Sequence, residues 1–139
     1  MDTARTVLCE IITPERIIYT DEAQMVVAPT IDGEIGILPL HAPLVSVLKP
    51  GEVRVKVDSE NTEWVAVSGG YIQVHEDKVI ILADDAALAG QIDVEEARRR
   101  KERIEARLSE AQDDEGELDR LERDLRWCEI QMSVAEKCD

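Results

Sequence analysis

Gly33-Glu-Ile-Gly-Ile-Leu-Pro-Leu-His-Ala-Pro-Leu-Val-Ser-Val-Leu-Lys-Pro-Gly51 is an apolar stretch that bends repeatedly. Three of the chain's five prolines and three of its seven glycines fall inside it, and only Glu34 and Lys49 carry a formal charge. Proline removes a ladder donor and glycine weakens a strand interior, so one long strand is excluded. Ile, Leu and Val fill the spaces between the breaks. That predicts short strands at 34–38 and 44–48, joined by a sharply shaped loop and packed against something. Val67-Ser-Gly-Gly-Tyr-Ile-Gln-Val74 repeats the arrangement, with a tight Gly-Gly turn between two β-rich runs.

Outward from these two segments, further β-rich runs occupy 6–13, 16–19, 23–29, 51–57, 63–68, 71–75 and 78–83. Pro14, Asp32-Gly33, Pro39, Pro43, Pro50-Gly51, Asp58 to Asn61, Gly69-Gly70 and Glu76-Asp77 separate them. Many short strands with no helical segment between them predict an antiparallel sandwich or flattened barrel. Glu52-Val-Arg-Val-Lys-Val57 alternates strictly, which predicts one buried and one wet face.

Near Gln91 the pattern turns helical, giving two parts, 1–90 and 91–139. Asp93 is placed to cap a helix, with Glu95 and Glu96 in its first turn facing the positive end of the helix dipole. Ala97, Lys101, Ile104, Leu108 and Ala111 then form a heptad stripe, and Leu118, Leu121, Leu125, Cys128, Met132 and Ala135 form a second. Between them Gln112 to Gly116 breaks the pattern, with Asp113 or Asp114 as the next cap. The expected result is an antiparallel helical hairpin. Each stripe is narrow, so the hairpin needs a third surface, either the β-domain or a partner, and is expected to move.

The 139 residues fit one domain with an appendage, and 3% aromatics with no Phe dictate an aliphatic core. A formal net charge of −15 argues against nucleic acid and anionic lipid as direct partners. No apolar run approaches the ~20 residues of a membrane span. The N-terminus lacks the basic and apolar regions of a signal peptide. Cys9, Cys128 and Cys138 show no CxxC spacing and are expected to be reduced, non-ligating thiols of a cytosolic protein.

Seven segments occur in order: Ile12-Thr-Pro-Glu15, Tyr19 with Asp21-Glu-Ala23, Gly33-Glu-Ile-Gly-Ile-Leu-Pro39, His41-Ala-Pro-Leu44, Leu48-Lys-Pro-Gly51, Val67-Ser-Gly-Gly-Tyr71 and Ile81-Leu-Ala-Asp84. Their order and spacing, with a helical hairpin after them, resemble the ε-subunit family of bacterial F-type rotary ATP synthases. The resemblance implies a ten-stranded β-sandwich on the central stalk, beside the γ subunit and the membrane ring. It implies that the hairpin either folds against the sandwich or extends along γ towards the α and β catalytic subunits, opposing ATP hydrolysis. It implies a non-catalytic rotor component on the cytoplasmic face of the cell membrane.

The resemblance assigns partner contacts to Glu34, Pro39, His41 and Pro43, and to the basic run Arg98, Arg99, Arg100 and Lys101. Leu40 departs from the small or polar residue usual at its position. The residues alone give blander readings. His41 reads as a hydrogen-bonded structural histidine with no second ligand near in sequence. His75, beside Glu76, reads as exposed. Glu95 with Arg99, Glu96 with Arg100 and Lys101 with Glu105 stand at i,i+4 spacing, which makes the run a salt-bridged face. Some family members bind ATP at the hairpin. Ile92, Asp93, Ala97, Arg103 and Arg126 match that pattern, whereas Glu96 and Ile130 stand where arginines are expected. A carboxylate beside a triphosphate is repulsive. No metal or other cofactor is called for. A small-barrel enzyme lacks its clustered ligands, nucleophile motif and phosphate loop here. A non-enzymatic adaptor with a coiled-coil arm accounts for the composition but not for the ordered segments.

Overall fold

The structure is a computed structural model that describes residues 5–110 and 114–137. Ten strands precede the helices: β1 Val7–Ile12, β2 Ile17–Ala23, β3 Met25–Thr30, β4 Gly33–Ile37, β5 Leu44–Leu48, β6 Gly51–Lys56, β7 Thr62–Val67, β8 Gly70–His75, β9 Lys78–Ala83 and β10 Ala86–Leu88. They pair in the order β10-β7-β6-β3-β5-β8-β9-β1-β2, with β4 beside β3. The sheet folds over a core of small aliphatic side chains, among them Val7, Ile11, Val26, Ile37, Val53, Val55, Val65, Ile72, Val79 and Ile81. Alternation sets this up. Along β6 and β8 every second residue is buried, Val53 and Val55 in one and Ile72 and Val74 in the other.

Three sequence expectations need correction. The all-antiparallel expectation fails at β1, which runs parallel to β9, with Leu8 opposite Lys78 and Leu82 opposite Ile12. Partners so distant in sequence leave no local signal. The run at 16–19 continues through Asp21 and Glu22 to Ala23, because its charged residues face solvent while β1 supplies the ladder. Gly69-Gly70 is not a hairpin turn: β7 pairs with β6 and β10, and β8 with β5 and β9. The two glycines carry the chain from one layer to the other at φ +124° and +133°.

A 3₁₀ turn, Ala89–Gln91, leads into α1 Val94–Leu108 and α2 Glu115–Ala135. Asp93 caps α1 by accepting from the Glu96 amide at 3.0 Å. Asp114 caps α2 through the Glu117 amide at 3.1 Å. Asp113, like Ala111 and Cys138, lies outside the described residues. The predicted seam forms, with Ala97 and Ile104 of α1 and Cys128 of α2 buried.

The third surface that the hairpin needs is the sandwich. A second stripe on α2, Trp127, Ile130 and Val134, packs on Trp64, Ala66, Ala89 and Ile92. Consequently Glu52, Arg54 and Lys56, expected to be wet, are partly covered. Cys9 is buried; desolvation, then the Glu10 carboxylate, pushes its thiol up to about 12, so it stays protonated. Burial likewise raises Cys128.

Candidate functional site

α2 covers the outer face of the β6–β7 side, and no helix among the described residues covers the opposite outer face. Register fixes what that face carries. Val47 pairs with Tyr71, Tyr71 with Leu82, Leu82 with Ile12, and Ile12 with Ile17. Paired residues share a face, so these five side chains form one row across five strands. Ile17 is 58% exposed, Tyr71 57%, Leu82 45% and Val47 40%. Ile31, whose amide donates to the Val47 carbonyl at 3.1 Å, extends the row. A contiguous exposed apolar strip on an otherwise highly charged chain marks a docking surface. Sequence reading missed it because alternate positions look alike until the register shows which face is covered.

The loop after β4 is a second exposed feature. The His41 amide donates to the Leu38 carbonyl at 3.2 Å, with Pro39 and Leu40 as the central residues. Proline first and a positive φ second is the arrangement of a type II turn, whose second position favours Gly or Asn. Here it is Leu40, at φ +68° and 72% exposed. Its amide donates to the Asp77 carboxylate at 2.6 Å, which helps hold the turn. A side chain larger than expected thus stands on strained backbone at the loop tip. His41 Nδ1 donates to the Ala42 carbonyl at 2.6 Å, a structural role. His75 lies 3.5 Å from the exposed Glu76 carboxylate.

Glu34 does not join this loop, since it is the second residue of β4 and the loop follows the strand's end. Glu34 accepts from Arg54 at 2.7 Å. In the basic run the pairs form at i,i+3 rather than i,i+4: Arg98 with Glu95, and Arg99 with Glu96 at 3.3 Å. Lys101 reaches across to Glu129 of α2 at 3.6 Å, so it joins the two helices instead of meeting Glu105.

The residues of the nucleotide pattern are dispersed. Ile92 packs in the Trp127 cluster, Asp93 caps α1, and Ala97 is buried. Arg103 lies 3.5 Å from Glu96, the carboxylate that stands where an arginine was expected. Only Arg126 faces a cavity. That cleft, of about 310 Å³, lies between sandwich and hairpin and is lined by Pro50, Ser68, Asp84, Asp85, Arg100, Arg123, Asp124, Arg126 and Trp127. Among the described residues no cluster of His, Cys, Asp or Glu could hold a metal ion.

Residues 6–89 match the family described as ATP synthase, Delta/Epsilon chain, beta-sandwich domain. The chain belongs to this ATP synthase epsilon-chain family. An ATP synthase epsilon chain of Brevibacillus brevis is 50% identical over 101 residues, 73% of this chain and 76% of the relative. Another, from Halalkalibacterium halodurans, is 43% identical over 130 residues, covering 94% and 97%. The match therefore runs through the epsilon-chain hairpin as well as the sandwich. The fold is also that of a chain in the Euglena gracilis mitochondrial ATP synthase structure comprising OSCP, F1 and c-ring. There the TM-score is 0.77 at 22% identity, covering 98% of this chain and 84% of that one.

Proposed function

We propose that this epsilon chain is a central-stalk rotor subunit of an F-type ATP synthase. It is needed to couple ion flow to ATP synthesis, and its hairpin opposes ATP hydrolysis when it leaves the sandwich. An epsilon chain is a non-catalytic accessory subunit of the catalytic complex. The observation that carries the reading is the bare apolar row Val47, Tyr71, Leu82, Ile12 and Ile17, opposite the face on which the hairpin rests. One face is left for a permanent partner and the other for a movable element. The γ subunit suits the row. Glu34 and the Pro39, His41 and Pro43 loop suit the membrane ring, and Arg98, Arg99, Arg100 and Lys101 suit an acidic segment of the α or β subunits.

In this reading 1–90 is the docking part and 91–139 the regulatory part. The ion pairs of the basic run are exposed and worth ~0–1 kcal/mol each, so partner carboxylates can replace them at little cost. No helix among the described residues is long and apolar enough to cross a membrane. The chain would be held peripherally on the cytoplasmic face of the cell membrane, through the rest of the complex.

Reconstituting the depleted complex separates the two roles. Full-length chain is expected to restrain hydrolysis, and truncation after Gly90 to raise it several-fold while leaving assembly intact. Tyr71→Asp with Leu82→Asp is expected to abolish retention of the subunit. Equal hydrolysis with full-length and truncated chain would remove the brake, and normal retention of the double variant would remove the docking row.

The cleft supports a second reading, ATP as a regulatory ligand. Arg100, Arg123 and Arg126 line it, and none has a side-chain partner among the described residues. Its volume is at the small end of the ~300–1,000 Å³ typical of ligand pockets. Asp84, Asp85 and Asp124 face the three arginines across the cleft, so phosphates would enter it only with a bound Mg2+, on the arginine side, whereas Glu96 already engages Arg103. Calorimetry on the isolated chain is expected to show saturable millimolar binding of Mg-ATP. Arg126→Ala should weaken it about tenfold, as loss of a charge-assisted hydrogen bond does, and Arg103→Ala should leave it unchanged. Absence of saturable heat would refute nucleotide binding.

A further inference from the structure

Trp64 lies on β7 at the edge of the surface that α2 covers, and two cations share its ring. The Arg54 guanidinium carbon is 5.6 Å from the ring centroid. Lys137 Nζ, just beyond the end of α2, is 5.2 Å from it. Both distances fall inside the ~6 Å reach of a cation–π contact. Arg54 belongs to the sandwich, directly across from Trp64 in the β6–β7 ladder, whereas Lys137 belongs to the hairpin. The Lys137 amide donates to the Val134 carbonyl at 3.0 Å, so the lysine is tied to the buried Val134 anchor.

Two positive charges on one ring repel, and they lie within about one Debye length, ~10 Å at 0.1 M salt. Glu34 offsets this. Its carboxylate is 2.7 Å from the Arg54 guanidinium and is the only acid paired with it among the described residues. The Arg54 side chain is 26% exposed, and its Nε is buried without a hydrogen-bond partner, so water compensates poorly for a lost counter-ion. Glu34 itself is 54% exposed, on a strand that pairs only with β3. A basic group outside the chain can therefore reach it.

We propose that Glu34, Arg54, Trp64 and Lys137 form a charge-set latch on the hairpin. With Glu34 paired to Arg54, the ring accepts Lys137 and the end of α2 stays down. When a basic group of a rotor neighbour takes the Glu34 carboxylate, Arg54 becomes an uncompensated cation beside Lys137, and the docked hairpin is disfavoured. By linkage, hairpin release strengthens that outside contact by the same factor. The inference rests on the movable hairpin of the preceding section, but its test uses only the isolated full-length chain. The result thus stands apart from whether the hairpin inhibits hydrolysis.

The measurement is amide hydrogen exchange in α2, with β8 and β9 as internal reference. Glu34→Gln is expected to speed α2 exchange about fivefold or more while the reference strands are unchanged. In a Lys137→Gln background the same substitution should have less than a twofold effect, because the repelling charge is gone. Lys137→Gln alone should speed exchange about two- to fivefold by removing one cation–π contact. Raising KCl to about 0.5 M should shrink the Glu34→Gln effect. An unchanged α2 rate in either single variant, or a Glu34→Gln effect that persists undiminished without Lys137, would overturn the latch.

Discussion

Alanine at position 70 is expected to destabilise the sandwich severely without unfolding it. Gly70 sits at φ +133°, and a Cβ built there would lie 2.0 Å from the Leu82 carbonyl oxygen and 2.9 Å from the Ala83 Cα. Those atoms are backbone of β9, held in register by Gly70 itself opposite Ala83, so they cannot rotate away. Backbone strain contributes about 2 kcal/mol and forced separation of the strands about 2 more. A total of about 4 kcal/mol consumes much of the ~5–15 kcal/mol that keeps a domain folded. Gly69 is the control. At φ +124° it shares the strain, but nothing approaches its Cβ within 3.6 Å. Urea titration should move the Gly69→Ala midpoint about half as far as that of Gly70→Ala. Equal midpoints would show that the close approach to β9 costs nothing.

Trp127→Ala is expected to lift the hairpin and leave the sandwich folded. Trp127 is 9% exposed and anchors the cluster with Ala66, Ala89 and Val134, apart from the main core. Truncating a buried Trp costs about 3–5 kcal/mol, and here the loss falls on docking alone. The face of α2 towards α1, with Leu121, Leu125 and Cys128, is untouched. Amide exchange in α2 should accelerate by about two to three orders of magnitude, while β1, β8 and β9 keep their protection. In the reconstituted complex the variant should hydrolyse ATP more slowly than the parent, because the released hairpin is the opposing form. Unaltered exchange would mean that Trp127 does not hold the dock. Faster exchange with unaltered hydrolysis would separate docking from inhibition.

Much of this was legible in the chain. Ile, Leu and Val runs between Gly and Pro breaks marked nine of the ten strands, and Asp93 and Asp114 marked the helix starts. The exception was β10, Ala86–Leu88, whose two alanines have weak strand preference and which pairs because β7 is already in place. Its existence was implied only by the family resemblance. The docking stripe of α2 also went unread. Trp127, Ile130 and Val134 stand at steps of three and four, a signal masked by the cleaner heptad beside it. Ile130 drew notice as a missing arginine, when its work is to pack on the sandwich. The candidate site was harder. Motifs singled out Glu34 and the Pro39 to Pro43 loop, but an apolar row built from five strands exists only after register is fixed. Ion pairs followed spacing loosely: Glu95 and Glu96 each pair with the arginine one residue earlier than expected, Arg98 in place of Arg99 and Arg99 in place of Arg100.

The parallel pairing of β1 with β9 has a consequence for the order in which a nascent chain matures. Leu8 finds Lys78 and Ile12 finds Leu82, so β1 has only β2 for company until some seventy residues more have been made. At ~5–20 residues per second that wait lasts several seconds on the ribosome. During it Val7, Cys9 and Ile11, later among the most deeply enclosed side chains, are without half their cover. The sandwich therefore cannot close before β9 has been made and pairs beside the first strand. The hairpin, translated after the strands, emerges onto a platform that has only just formed.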